Sequence, residues 1–294
     1  MSGSTGQLAG KSAIVVGGGQ SAGSAIGIGR ATAITYAREG AQVLLVDINE
    51  ASAHETRELI LGETPDAEVA VLGADITQDN ECAKIAQVCL DRFGRIDILQ
   101  NTVGTTGSGD HVEMTSEMWD ALMALNLKGA WMATKYVLPA MRAARSGSII
   151  NISSGAAIRG KVPFVYGIAK AGMNALTRTL AAWNAPYLIR ANAIMPGLID
   201  TSMAVDTVAT IRGVPREVVE QERANLTPMG KEGTAWDIAN LSLFLASDAS
   251  SYVSGECIGV DGALEVTGAQ WQGYTTPQGE AVFEADAKSK TAAG

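Results

Sequence analysis

Tyr166 and Lys170 stand four apart in YGIAK, a spacing that on a helix sets both side chains on one face about a turn apart. An ammonium beside a phenol favours the phenolate and draws its pKa down from about 10. Such a tyrosine can take a proton from an alcohol or give one to a ketone. The pairing alone is common on helix surfaces, so its neighbours decide its meaning. Twelve residues upstream, NISSG (151–155) supplies Ser154, whose hydroxyl is placed to hold a substrate oxygen beside the phenol. Ser153 is its rival, because adjacent strand residues point to opposite faces. No G-x-S-x-G elbow surrounds either serine, which argues against hydrolysis.

A second group lies near the start. GGGQSAGSAIGIGRA (17–31) joins a strand-like AIVVG to a helix-like IGIGRATAITYAREG. In that setting glycine lets backbone amides approach a pyrophosphate, and the helix N-terminus offers free N–H groups. Two registers compete, Gly23-x3-Gly27-x-Gly29 and one anchored at the strand end. The strand end favours Gly17 as the turn glycine, with Gly27, Ile28 and Gly29 opening the helix. Residues 18–25 then form a lengthened loop in which Gly18, Gly19 and Gly23 let the chain turn. Asp47 closes the second strand, where a carboxylate accepts from a ribose 2′-hydroxyl and repels a 2′-phosphate. Ile48 and Asn49 bring no compensating cation, so the expected cofactor is NAD rather than NADP. Asp75, followed by Ile76 in GADIT, is placed to meet the adenine edge.

These groups must be positioned by a regular scaffold. Short runs rich in Val and Ile recur at 13–17, 42–47, 68–75, 96–101, 148–153, 189–195 and 256–262, each suited to a strand buried on both faces. Helical spacing fills 27–39, 50–62, 79–93, 116–145, 164–184 and 235–246. This alternation predicts a single α/β doubly wound domain around a seven-stranded parallel sheet. Two stretches fall outside it. The polar 198–230, broken by Pro215 and Pro228, reads as a mobile helical insertion placed to act as a substrate lid, or else a surface loop, with Met203, Val205, Val208, Ile211 and Val214 either an apolar pocket lining or packed against the body. The tail from 265 to 294 reads as an extension that is either disordered or docked on a neighbouring subunit through QWQGY (270–274).

Composition narrows the partners. The 294 residues carry a net charge of −9, which argues against nucleic acid or an anionic membrane as a partner. Cys82 and Cys89 share a helix face, but His54 and His111 are scattered, so a metal site is not expected. The start MSGSTGQLAG has neither a basic nor an apolar leader segment, and no uninterrupted apolar run is long enough for a membrane span; a cytoplasmic protein is expected.

The glycine loop, Asp75, NTVG (101–104), Asn126 in LNLKG, NISS, YGIAK, PGLIDT (196–201) and SSYVSGECIGVDGA together resemble the short-chain dehydrogenase/reductase family in its Rossmann form, over residues 8 to 264. The resemblance implies that Tyr166 is the catalytic acid/base, that Lys170 binds the nicotinamide ribose and lowers the phenol's pKa, and that Ser154 orients the substrate oxygen. Asn126, interrupting a helix, would hold a water that relays protons to Lys170. Asn101 and Gly104 would lie beside the adenosine ribose, and Pro196, Ile199 and Thr201 would line the nicotinamide carboxamide. A homotetramer is implied by the family alone. The chain departs from the pattern in three places: nine residues separate Gly17 from Gly27 where the family has three, Thr102 and Val103 replace the usual pair after Asn101, and the Ser154–Tyr166 interval is one short. The long loop also resembles the enoyl-thioester reductase branch, which separates its Tyr and Lys by six residues rather than three. A non-catalytic dinucleotide sensor on the same fold is the reading outside the enzyme class, and the complete set Asn126, Ser154, Tyr166 and Lys170 weighs against it. The expectation is an NAD-dependent oxidoreductase acting on a secondary alcohol or ketone.

Overall fold

The structure, a computed structural model, describes residues 6–107, 111–160 and 162–267. The seven apolar runs become the strands of one sheet: β1 (Ser12–Val16), β2 (Gln42–Asp47), β3 (Val69–Gly73), β4 (Ile98–Asn101), β5 (Gly147–Ile152), β6 (Ile189–Pro196) and, beyond a separate ribbon of β7 (Ile199–Asp200) and β8 (Gly233–Thr234), β9 (Cys257–Val260). Their order is β3-β2-β1-β4-β5-β6-β9, and every pairing is parallel. The winding reverses between β1 and β4, which opens a crevice at the carboxyl ends of the strands.

The helices are α1 (Ile28–Arg38), α2 (Glu50–Glu63), α3 (Asp79–Phe93), α4 (Ser116–Met123), α5 (Gly129–Ala144), α6 (Phe164–Asn184), α7 (Thr207–Arg212), α8 (Arg216–Ala224) and α9 (Ala235–Ala246). Strand residues alternate between two cores, as a period of two demands. Ile14, Val16, Leu44 and Val46 pack with Ile85 of α3 and with Val137 and Met141 of α5. Ala13, Val15, Val43 and Leu45 pack with Ile34 of α1, Ile60 of α2 and Leu245 of α9. Each such aliphatic side chain contributes about 1.5–3 kcal/mol when fully buried, so the sheet is held from both faces.

One expectation needs correcting, and one pair of alternatives is decided. The helix read over 116–145 is two helices, because α4 runs into a π-helical turn, Ala124–Lys128, before α5 begins. Asn126 on that turn is fully buried and returns its side-chain amide to the Leu122 carbonyl at 2.9 Å, a local bond that competes with regular helix. In the insertion, Val205, Val208 and Val214 follow the packing alternative rather than the pocket-lining one. They pack with Ala209 and Val219 into a small core between α7, α8 and the π-helical turn Ser202–Asp206, while Ile211 is exposed.

Cys82 and Cys89 are buried free thiols, pushed up by burial to about 11 and about 12. Among the described residues no cluster suited to a metal ion occurs, and no helix is long and apolar enough to cross a membrane. The docking candidate QWQGY lies outside the described residues.

Candidate active site

β1 ends at Val16, and Gly17 turns the chain at φ 83°, a left-handed conformation that strains any residue with a Cβ. The N–H groups of Gly17 and Gly18 both reach the Val46 carbonyl, at 2.8 and 3.0 Å. Gly27 then opens α1, which has no side-chain cap and no acidic residue in its first turn. Its N–H groups and positive dipole end are left for an anion. A Cβ on Gly29 would lie 1.8 Å from the Gly17 carbonyl oxygen, so glycine alone lets the helix start this close to the strand end.

The other loop glycines work differently from the sequence reading. Gly18 and Gly19 do not have positive φ; they are small because Leu45, Asp47 and Ser52 approach closely, with a Cβ on Gly19 falling 2.9 Å from Asp47 Oδ2. Gly23 does have positive φ, 147°. The loop's first half is held from β2 and α2: Gly19 N–H donates to Asp47 Oδ2 at 3.0 Å, and Gln20 N–H to Ser52 Oγ at 2.9 Å.

Between this loop and the crevice lies a cavity of about 400 Å³, large enough for much of a dinucleotide. Gly17, Gly27, Ile28, Gly29, Asp47, Asp75, Ile76, Gly104 and Thr201 of the sequence candidates line it. So do Gln20, Thr102, Val103, Leu125 and Met203, which sequence reading did not single out as cofactor contacts. Among the described residues no Lys or Arg lines it. Arg30, just past the loop, is committed to Thr56 Oγ1, Ser52 and Glu55. Asp47 Oδ1 also accepts from Asn49 N–H, so the carboxylate is fixed at the end of β2. Asp75 accepts from the Thr77 backbone N–H at 2.8 Å, and that bond foremost holds its carboxyl below the ordinary range.

Three candidates stand elsewhere. Asn101 is buried and gives its side-chain amide to Asn151 Oδ1 at 2.9 Å, and Asn151 in turn donates to Thr177, so its polar end serves the link from sheet to α6. Ile199 is buried in the α1/α9 core, and neither it nor Pro196 lines the cavity.

The proton-transfer candidates meet beside Gly104. A Cβ on Gly104 would lie 2.9 Å from Asn126 Oδ1 and 3.1 Å from Lys170 Nζ, so the cavity wall touches both groups and has no room for a side chain. Tyr166 and Lys170 share a face of α6, with Nζ over the ring at 5.6 Å from its centroid. Ser154 follows β5, near enough to Tyr166 for its hydroxyl to draw the phenol's pKa down, and its Oγ accepts from Ala156 N–H at 3.1 Å. Ser153 turns the other way and donates to the Lys170 carbonyl at 3.0 Å. Asn126 accepts from Thr105 N–H and donates to the Thr105 carbonyl, both at 3.0 Å, which fixes the strand just past Gly104.

The electrostatics differ from the sequence expectation. Burial pushes the Tyr166 phenol above its ordinary value, only partly opposed by the nearby Ser154 hydroxyl. Burial also pulls Lys170 down to about 8, and its Nζ donates to the Ile152 carbonyl at 2.7 Å. Loss of water disfavours charge on both groups, and this outweighs the pull of the ammonium on the phenol.

A family model described as enoyl-(acyl carrier protein) reductase matches residues 22–264. The chain is 36% identical over 245 residues to the 3-oxoacyl-[acyl-carrier-protein] reductase FabG of Thermotoga maritima, covering 83% of this chain and 96% of that protein. It is 34% identical over 251 residues to the levodione reductase of Leifsonia aquatica, covering 85% and 92%. The crystal structure of carveol dehydrogenase from Mycobacterium avium in complex with NAD superposes with a TM-score of 0.80 at 26% identity, covering 89% of this chain and all of that one.

Proposed function

The chain belongs to the short-chain dehydrogenase/reductase family of oxidoreductases, and we propose that it uses NAD to interconvert a secondary alcohol and its ketone. The observation that carries this reading is Lys170 over the Tyr166 ring, with the Ser154 hydroxyl close enough to act on the phenol, next to a glycine-walled cavity. The residues present fit a dinucleotide. Gly17 and Gly29 leave a cradle that a Cβ would fill, α1 presents free N–H groups, and Asp47 offers an acceptor where the lining has no cation for a 2′-phosphate. The relative named carveol dehydrogenase was solved with NAD, which supports the same choice.

In this reading Gly17, Gly27, Ile28 and Gly29 hold the pyrophosphate, Asp47 the adenosine ribose, and Asp75 and Ile76 the adenine. Gly104, shifted from the adenosine ribose by its contact with Asn126 and Lys170, and Thr201 flank the nicotinamide half, and Lys170 meets its ribose. The bound nicotinamide supplies hydride exchange with the carbinol carbon. Ser154 holds the substrate oxygen and Tyr166 moves the proton. With its pKa raised, Tyr166 is a neutral phenol near neutral pH, ready to protonate a ketone oxygen as the C–H bond forms; alcohol oxidation needs the phenolate to receive the hydroxyl proton. Asn126 positions Thr105 and Gly104 behind Lys170.

The family model's description favours enoyl-thioester reduction as a second reading. The three-residue interval between Tyr166 and Lys170 supports the alcohol/ketone reading over it. The test is a panel of secondary alcohols and cyclic diols with NAD, ketones with NADH, and an enoyl thioester with NADH, each followed at the NADH absorbance. Turnover of alcohols or ketones alone is expected. Turnover of the enoyl thioester alone favours the second reading, and tight NADH binding with no turnover on any member favours a sensor.

A further inference from the structure

The lengthened glycine loop is fastened at its far end to the insertion, through Asp206. Among the described residues no backbone–backbone hydrogen bond anchors residues 19–26. The first half hangs on Asp47 and Ser52, as described above. The second half hangs on the insertion: Asp206 Oδ2 accepts from Ser24 N–H at 2.8 Å and Ala25 N–H at 3.4 Å, Oδ1 accepts from Ser24 Oγ at 3.2 Å, and Ser202 Oγ donates to the Ala25 carbonyl at 2.6 Å. Gly23 is shaped for this contact, since a Cβ there would fall 2.2 Å from Asp206 Oδ2.

Asp206 is itself held from the insertion side. Arg216, at the start of α8, donates to Asp206 Oδ1 at 2.8 Å, bonds Asp200 of β7, and pairs with Glu220 through Nε at 2.8 Å. The Asp206 and Arg216 side chains are only 18% and 20% exposed, so this is a desolvated charge pair, the kind whose hydrogen bonds are strong. The two fastened segments wall the same cavity, Ser21 and Ala22 from the loop and Ser202 and Met203 from the insertion.

We propose that Asp206 is a positioning residue for the dinucleotide: it clasps the extended loop to the insertion across the cavity, so that the cofactor leaves only when loop and insertion part. The proposal rests on the NAD reading above. Asp206 acts from outside the lining, through Ser24 and Ala25, and touches no reacting atom. Its removal leaves Tyr166, Ser154 and Lys170 in place, so the chemical step is spared and the hold on the cofactor is not.

The experiment compares wild type with Asp206→Ala and Asp206→Asn, reading NADH dissociation by stopped-flow displacement, NADH affinity by fluorescence titration, and amide exchange of residues 20–26 without cofactor. Asp206→Ala should raise the NADH release rate and Kd about tenfold or more, raise KM for NAD without lowering kcat, and speed exchange at Ser24 and Ala25. Asp206→Asn keeps an acceptor oxygen and should fall between. A folded Asp206→Ala chain with wild-type release rate and affinity overturns the proposal. If that variant does not fold, Ser202→Ala and Gly23→Ala attack the contact from its other sides, and unchanged NADH affinity in both overturns it equally. Failure of the NAD reading is distinguishable: wild type would bind no NADH, while the exchange arm would still report whether Asp206 holds the loop.

Discussion

Lys170 sets its ammonium over the ring of Tyr166, 5.6 Å from the centroid, while its Nζ donates to the Ile152 carbonyl at 2.7 Å. The pair is a half-buried acid and a fully buried base, each pushed toward its neutral form. A raised phenol pKa keeps the proton on Tyr166 through neutral pH. Ketone reduction should be fastest near neutrality and fall in the alkaline range, while alcohol oxidation should climb with pH. Initial rates in both directions across the pH range check this, and oxidation that falls as pH rises contradicts it.

Burial of Lys170 has a stability consequence with a definite sign. Its folded pKa of about 8 lies below the ordinary 10.5, so between those values the unfolded chain binds the extra proton and stability rises with pH. Below about pH 8 the full penalty is present, on the order of 3 kcal/mol from the shift alone. Lys170→Met should flatten the rise in melting temperature between pH 8 and 10 while cutting turnover at least tenfold. Its loss of the bond to Ile152 offsets about 1–3 kcal/mol of the relief, so the pH slope is the sharper readout. Identical slopes in the two chains would refute the burial argument.

Asp47 has two duties that one substitution can separate. Its charge faces the cavity, and its Oδ2 holds Gly19 N–H at 3.0 Å. Asp47→Asn keeps an acceptor for Gly19 but removes repulsion of a 2′-phosphate. The ratio of kcat/KM for NAD over NADP should fall about tenfold or more, with the loop intact. Wild-type preference for NADP, or an unchanged ratio in the variant, contradicts the role of the carboxylate.

Glycines 29 and 62 make a contrasting pair. A Cβ on Gly29 would meet the Gly17 carbonyl at 1.8 Å, whereas one on Gly62, inside α2, meets nothing within 4 Å. Gly29→Ala should destabilise by about 3 kcal/mol or more and weaken NADH binding, because α1 must shift off the strand end. Gly62→Ala should stabilise by about 1 kcal/mol and leave binding unchanged. Denaturant melts and NADH titrations of both variants provide the check.

Strand positions were legible because alternate residues feed two cores, and runs such as QVLLVD have no other way to be satisfied. The break at Asn126 was legible only through the family resemblance and not from helical spacing, since it depends on a side-chain bond to Leu122 and on Thr105, 21 residues away. In the site, Gly17, Gly29 and Asp47 carry their meaning in local spacing, and the structure brings them to one cavity. Asn101 gives its side-chain amide to Asn151 on the next strand, a contact that local spacing does not report. Helical spacing reports the Lys170 neighbour of the phenol but not the burial that raises the Tyr166 pKa and lowers that of Lys170. Asp206 gave no signal, being one acid in a polar stretch 182 residues from Ser24.

The central claim is that Tyr166 moves the proton at a site where the dinucleotide binds independently of it. Tyr166→Phe removes one hydroxyl, and the decisive measurement is its turnover with an active substrate beside its NADH affinity. Turnover reduced by about a hundredfold to ten-thousandfold, with NADH Kd within about twofold of wild type, is the expected result. Wild-type turnover in the folded variant would contradict the assignment.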